Sequence, residues 1–175
     1  RCATLADIVN NSDEHWVIWC NLNEESSMLK TMIHDAIEVH GSQSPAVKET
    51  LLHQFSRGQA RVIISKPKIC GFGLNWQHCK NVAFVGLDDS FEKYYQAVRR
   101  CYRFGQIRPV DVHLVYSSAE GAVKENLERK QQLADIMADQ MISHMREFVQ
   151  REVVGTRMER TEYMPTQSIN LPEWI

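Results

Sequence analysis

Short apolar runs alternate with amphipathic stretches along the first two thirds of this chain. The clearest runs lie at Trp16–Cys20, Arg61–Ile64, Val82–Val85 and Val110–Tyr116. Apolar runs of this length, separated by helical stretches, are typical of βαβ units, in which helices cover a sheet of parallel strands. The pattern therefore predicts an α/β fold.

Helical signals fill the intervals between these strands. Asn23 is a suitable N-cap for a helix that continues to about Ile37. Pro45 begins a second helix, and Gly58 ends it. Its apolar residues recur at helical spacing, at Val47, Leu51, Leu52 and Phe55.

The segment Gln96–Gln106 combines arginines with apolar residues. As a helix it would place Gln96, Arg100 and Arg103 within about 60° of one another. The opposite side would carry a packing face of Tyr94, Val98, Cys101 and Tyr102. Two guanidinium groups one turn apart can bind phosphate oxygens, but a solvated basic helix face would show the same pattern.

Beyond Ser118 the apolar positions follow a long helical period. They predict an amphipathic helix that continues to about Val154, followed by an extended tail with two prolines. The expected organisation is an α/β domain at 1–118, a long helix at 119–154 and a tail at 155–175.

Composition narrows the class of protein. Apolar residues make up 43% and charged residues 24% of the 175, and no apolar run approaches the roughly 18 residues that a membrane span needs. Its five cysteines lack paired C-x-x-C spacing, so we expect no metal site and a reducing compartment. No export signal is evident, so we expect a cytoplasmic location and a chain that is part of a longer protein. The net charge of −2 means that any nucleic-acid surface must be local.

Two motifs in their order along the chain point to a family. Gly73-Leu-Asn-Trp76 precedes Gln96…Arg100…Arg103-Phe-Gly-Gln106. Together they resemble the second lobe of superfamily-two helicases, and most closely the Swi/Snf-like branch with its bacterial and phage DEAD/DEAH-type helicases. The resemblance covers about Trp16 to Val115 and implies a RecA-like parallel sheet sandwiched by helices.

The resemblance also implies roles for residues near a nucleotide. Arg100 and Arg103 would be catalytic arginine fingers that reach ATP. Gln96, Gly73 and Asn75 would lie near the same nucleotide. The ATP, with its Mg²⁺, would be held mainly by the first, N-terminal helicase lobe of the same parent chain, which is the expected partner.

A second set of residues would lie toward nucleic acid. By the same resemblance these are Ser65, Lys66 and Gly71, with His40 and Lys48 as weaker positions for which a structural role is equally open. Such contacts to phosphates position a strand without selecting a sequence. DNA is preferred over RNA only because the family prefers it.

Some features depart from the family or are missing. Val98 and Arg99 stand where the Swi/Snf branch has acidic residues, and Ser90-Phe-Glu92 replaces its Trp-Asn-Pro. No G-x-x-x-x-G-K-[ST] loop occurs, so we expect the chain to hydrolyse no ATP by itself. Two alternatives remain open, namely a degenerate lobe that serves as a scaffold and the motor part of a nuclease-linked restriction system.

Overall fold

A computed structural model describes residues 1–70, 74–86 and 88–153. Its helices are α1 (Cys2–Asn10), α2 (Asn23–Met32), α3 (Pro45–Ser56), α4 (Phe91–Val98) and α5 (Gly121–Val153). Its strands are β1 (Trp16–Cys20), β2 (Ala36–Val39), β3 (Val62–Ser65), β4 (Asn81–Val85) and β5 (Asp111–Val115). A short 3₁₀ turn at Ser118–Glu120 precedes α5.

The strands form one parallel sheet in the order β2-β3-β1-β4-β5. β1 lies at its centre, with Trp16 opposite Val62 of β3 on one side and opposite Asn81 of β4 on the other. All five residues of β1 and of β4 are buried, as expected for strands covered on both faces. The predicted parallel α/β sheet is therefore confirmed.

Each face of the sheet carries its own apolar core. On one face, the α1/α2 face, Leu5 and Val9 of α1 and Leu29 of α2 pack on Ile18. On the other, the α3/α4 face, Phe55 of α3 and Ala97 of α4 pack with Trp19. Because side chains alternate along a strand, neighbouring residues of β1 serve opposite cores.

The region between α2 and β2 corrects one sequence expectation. The helix predicted to continue to Ile37 ends at Met32, and Ile37 lies in β2. Ile33 already has an extended backbone (φ −115°, ψ 92°) and is buried. No glycine or proline interrupts the helical apolar spacing here, so the sequence gives no stop signal. The pairing of Ile37 with Ile63 of β3 decides the structure instead.

The start of α2 needs a smaller correction. The N-cap is Leu22 rather than Asn23. The Glu25 carboxylate accepts a hydrogen bond from the Leu22 N–H at 3.1 Å, which is the half of a capping box that an apolar N-cap residue still allows.

The arginine segment gives a further correction. α4 ends at Val98, so Arg100 and Arg103 lie beyond it instead of on one helical face. The Arg100 carbonyl accepts a hydrogen bond from the Trp76 N–H at 2.9 Å, which diverts it from the helical ladder. Tyr102, expected on the packing face, is 57% exposed.

Two compact units make up the chain. Arg1–Gln132 contains the sheet, and the other unit comprises Leu133–Ile175. Within the second unit, α5 exposes a set of large apolar side chains, namely Leu133, Ile136, Met137, Met141, Ile142 and Met145. The tail predicted at 155–175 lies outside the described residues, and the predicted domain boundaries stay predictions.

Among the described residues, no helix combines the length and apolarity that crossing a membrane requires. The same residues include no cluster of His, Cys, Asp or Glu suited to a metal ion.

Candidate nucleotide-facing site

Main-chain and side-chain hydrogen bonds fix the segment after α4 to the segment that begins at Leu74. The Trp76 N–H donates to the Arg100 carbonyl at 2.9 Å. The Arg103 guanidinium donates to the Leu74 carbonyl at 3.3 Å. Cys101, between the two arginines, is fully buried in the α3/α4 core. These contacts place the two predicted motifs side by side although they are distant in sequence.

A cavity of about 280 Å³ brings Gln96 and Arg100 together. Lys68 from the loop after β3 and Lys93 from α4 line the same cavity. Lys93, Gln96 and Arg100 follow one another at i, i+3 and i+7, which places the last residue next to the other two although α4 has ended. We name this space the arginine cavity.

The arginine cavity is lined by three cations, Lys68, Lys93 and Arg100, and by one carboxylate, Glu92, so its excess of positive charge suits an anion. In the described part of the chain the Arg100 guanidinium has no ion-pair partner, and Lys68 has none either. Burial lowers the pKa of Arg100, and the neighbouring Arg103 lowers it further. A half-buried cation is stabilised when a negative group approaches, so a phosphate would relieve this cost.

Arg103 lies outside the arginine cavity. Its side chain is exposed, and the bond to the Leu74 carbonyl is the hydrogen bond described for it. Arg103 nevertheless lies close enough to lower the pKa of Arg100. The two arginines therefore belong to one electropositive region, with one residue in a cavity and the other at the surface.

A smaller cavity of about 180 Å³ adjoins this site at the carboxyl ends of β1, β3 and β4. It shares Pro67, Lys68, Ser90 and Lys93 with the arginine cavity. Lys66 lines only the smaller one. Ligands of open α/β sheets gather at this edge, so we name it the strand-end cavity.

One carboxylate lies in the strand-end cavity. Asp88 accepts a hydrogen bond from Lys93 at 2.6 Å and another from the Ser90 N–H at 3.0 Å. The Lys93 ammonium group holds the pKa of Asp88 below its usual range. This pair leaves Lys66 and Lys68 as the cations of the cavity that form no ion pair among the described residues.

Ser65 and His40 are engaged in internal contacts. The Ser65 hydroxyl donates to the Val39 carbonyl at 2.8 Å and accepts from the Cys70 thiol at 3.1 Å, and the residue is 2% exposed. His40, directly after β2, places its Nδ1 2.8 Å from the Ser42 hydroxyl. In this structure both residues hold the loops at the strand ends in place.

Lys48 and Asn75 share a third cavity, of about 560 Å³, which α3 lines together with Leu74. The Lys48 ammonium group donates to the Gly41 carbonyl at 2.8 Å. Asn75 is exposed and lies on this side rather than in the arginine cavity. The structure thus brings Lys48 to Asn75, but not Asn75 to Gln96.

Two predicted site residues, Gly71 and Gly73, lie outside the described residues. In contrast, the structure adds residues that the sequence analysis missed. Lys68 and Lys93 line both cavities, and Trp19 lines the arginine cavity, with no hydrogen-bond partner for its indole N–H among the described residues. The helical spacing of Lys93 to Gln96 and Arg100 was the signal that could have found Lys93.

Comparisons with known proteins agree with this architecture. The human protein ATP-dependent DNA helicase Q4 is 31% identical over 116 residues, covering 56% of this chain. The chain spans 9% of the length of that relative.

Two solved structures share the fold. The C-terminal part of the Fun30 ATPase domain has a TM-score of 0.61 at 20% identity, covering 72% of this chain and 43% of that one. The C-terminal domain of the DEAD-box protein Dbp5 has a TM-score of 0.61 at 13% identity, covering 74% of this chain and 77% of that one. At these identities the likeness shows the fold alone.

A family model, that of the helicase conserved C-terminal domain, matches residues 1–105, more than half of the 175-residue chain. The chain therefore belongs to the helicase conserved C-terminal domain family, the RecA-like C-terminal lobe of superfamily-two helicases.

Proposed function

We propose that this chain is the second motor lobe of an ATP-dependent DNA translocase or helicase. The observation that carries the proposal is the arginine cavity, where Gln96, Arg100, Lys68 and Lys93 converge and where Arg100 forms no ion pair among the described residues. Charge of this kind stabilises the negative charge that develops when a phosphoryl group is transferred. The ATP would come from the first lobe, because the sequence lacks a phosphate-binding loop.

The residues of the cavity fit a phosphate ligand by their chemistry. Arg100 offers a planar fork of N–H donors, and Gln96 offers an amide that can donate or accept. Arg103 would be the second finger, reaching the nucleotide from the exposed side. Mg²⁺, when bound with ATP, would neutralise charge between the phosphates, and we assign its ligands to the first lobe.

Nucleic acid would lie along the strand-end cavity. Lys66 supports this assignment best, because it is half-buried there and forms no ion pair among the described residues. Ser65 and His40 would act by fixing the loops beside it, and Lys48 by holding the Gly41 carbonyl. Gly71 would add a main-chain donor, and Gly73 and Asn75 would link the two ligands. DNA is chosen because the human relative is named a DNA helicase.

We further propose a place within the superfamily. The spacing from Gln96 through Arg100 and Arg103 to Gln106, preceded by Gly73–Trp76, supports the Swi/Snf-like branch and a bacterial or phage source. The lobe would end near residue 118, followed by the helix at 119–154 and the tail at 155–175.

One observation favours a second candidate function, that of a scaffold. In the second unit the exposed apolar residues of α5, such as Met137 at 67% exposure, could bind another protein. If the lobe is a scaffold, the intact protein should keep its full activity when Arg100 or Arg103 is replaced. The arginine variants therefore test both candidate functions.

The test is nucleic-acid-stimulated ATP hydrolysis by the intact protein that carries this chain. Replacing Arg103 by Ala should lower turnover by about 10³ to 10⁵, as for other arginine fingers. Arg57→Ala, an exposed arginine at the end of α3, is the matched control and should leave turnover unchanged. A loss smaller than about tenfold in Arg103→Ala would contradict the finger role.

A further inference from the structure

The loop that follows Arg103 exposes two large apolar side chains. Phe104 is 101% exposed and Ile107 is 95% exposed, the highest exposures among the large apolar residues described. Single exposed apolar residues are common, but two that are almost fully exposed within four positions indicate a contact surface. We name these two residues the apolar pair.

The loop that carries the apolar pair is firmly held. The Gln77 side chain donates to the Phe104 carbonyl, and the Gln106 amide donates to the Gln77 carbonyl at 2.8 Å and the Cys79 carbonyl at 3.3 Å. Gly105 has φ +95°, and a Cβ there would lie 3.2 Å from the Gln77 amide nitrogen. A backbone fixed in advance loses little entropy on binding, so the exposure is a built feature of the fold.

The charge beside the apolar pair restricts the partner. Arg103 immediately precedes Phe104 and is exposed as well, so a surface that covers this loop approaches both side chains. In the described chain Arg103 contacts only the neutral Leu74 carbonyl. Removing it from water without a negative partner would be costly. The partner must therefore supply both an apolar surface and an anion.

We propose that Phe104 and Ile107 are the contact by which the ATP-bearing first lobe docks on this lobe. The inference rests on the proposed function, because the anion beside Arg103 is then the nucleotide. The apolar pair would stabilise the closed arrangement in which the arginines reach ATP, and it would return to water when the lobes separate.

The experiment measures maleimide labelling of Phe104→Cys and of Ile107→Cys in the intact protein, resolved by peptide mass spectrometry. Each variant keeps the other apolar residue, and the five native cysteines of this chain are buried. A non-hydrolysable ATP analogue should slow labelling at 104 and 107 by about tenfold, which corresponds to a closed state populated about nine times in ten. Asp7→Cys, exposed on α1, is the control and should label at the same rate throughout.

Each other outcome identifies what has failed. The first such outcome is labelling at 104 and 107 at the same rate with and without the analogue, while Arg103→Ala still lowers ATP turnover strongly. This outcome overturns the docking contact and leaves the proposed function intact. Protection by nucleic acid without the analogue also overturns it, because nucleic acid is then the occupant. Turnover that Arg103→Ala leaves unchanged overturns the proposed function itself.

Discussion

The two faces of the sheet differ in how their charged side chains are paired. Near the α1/α2 face, Arg1 pairs with Glu25 at 3.0 Å and with Glu120 at 2.7 Å, and Arg61 pairs with Asp35 at 2.5 Å. On the α3/α4 face Lys93 pairs with Asp88, but Arg100 and Lys68 line the same cavity and form no ion pair in the described chain. Internal pairing indicates a face that stabilises the fold, and beside the unpaired cations of the other face we propose that an anion binds.

The largest expected effect comes from Arg100. In the intact protein Arg100→Ala should lower ATP turnover by about 10³ to 10⁵, because the cation that we propose faces the nucleotide is lost. The free energy of unfolding should hardly change, since the Trp76 bond uses the Arg100 main chain. Steady-state kinetics and denaturant unfolding measure the two quantities. Arg100→Lys keeps the charge but not the planar fork, so full activity in Arg100→Lys would contradict the bidentate contact.

Leu29 should show the opposite behaviour on the α1/α2 face. It is fully buried, so Leu29→Ala should lower the free energy of unfolding by about 2 to 5 kcal/mol through lost burial and the cavity left behind. Turnover per folded molecule should be retained. Met28→Ala, at a neighbouring position that is 50% exposed, is the control, and an equal loss of stability there would refute the assignment.

Arg61 tests the paired charges. Its guanidinium donates to the Val9 carbonyl at 2.9 Å and holds Asp35, whose pKa it lowers. Arg61→Ala should cost about 1 to 3 kcal/mol of stability, because the carbonyl loses its donor and Asp35 its partner. The variant should also lose less stability than wild type on acidification, since the lowered Asp35 pKa contributes stability that disappears as pH falls through it. Denaturant unfolding of Arg61→Ala and of wild type at several pH values measures both effects. If the variant matched the wild type in stability and in its pH dependence, the account of these charges would be contradicted.

His78 gives the smallest expected effect. Burial lowers its pKa, the nearby His15 and Arg108 lower it further, and the Phe55 backbone opposes them. The unfolded chain therefore binds a proton more readily than the folded one, and stability should fall as pH drops below about 6.5. His78→Gln should flatten this decline, as measured by unfolding at about pH 7.5 and pH 5.5. If the stability of His78→Gln fell with pH as steeply as that of wild type, the decline would come from other groups.

Much of the fold could be predicted from local pattern. β1 has the predicted bounds, and Pro45 begins α3 as expected. The failures lie where tertiary contacts decide, as at Ile37, whose pairing in the sheet ends a helix that the apolar spacing would continue. Helix α1 was not predicted, although Cys2, Leu5, Ala6 and Val9 recur at helical spacing and are all buried.

The grouping of two candidate site residues was predictable, but their geometry was not. Helical spacing predicted Gln96 and Arg100 on one side of their segment, and the structure brings them to one cavity. It could not show that α4 would end at Val98 or that Arg103 would lie outside the cavity. The internal bonds of the Ser65 hydroxyl were equally hidden, because they depend on how β2 and β3 pair.

The most direct test compares Arg103→Ala with Leu29→Ala in the intact protein, measuring DNA-stimulated ATP turnover per folded molecule together with Tm. The account predicts that Arg103→Ala loses about 10³ or more in turnover at an unchanged Tm. Leu29→Ala should keep its turnover at a lowered Tm. Turnover within about tenfold of wild type in Arg103→Ala would contradict the claim that this face acts on ATP.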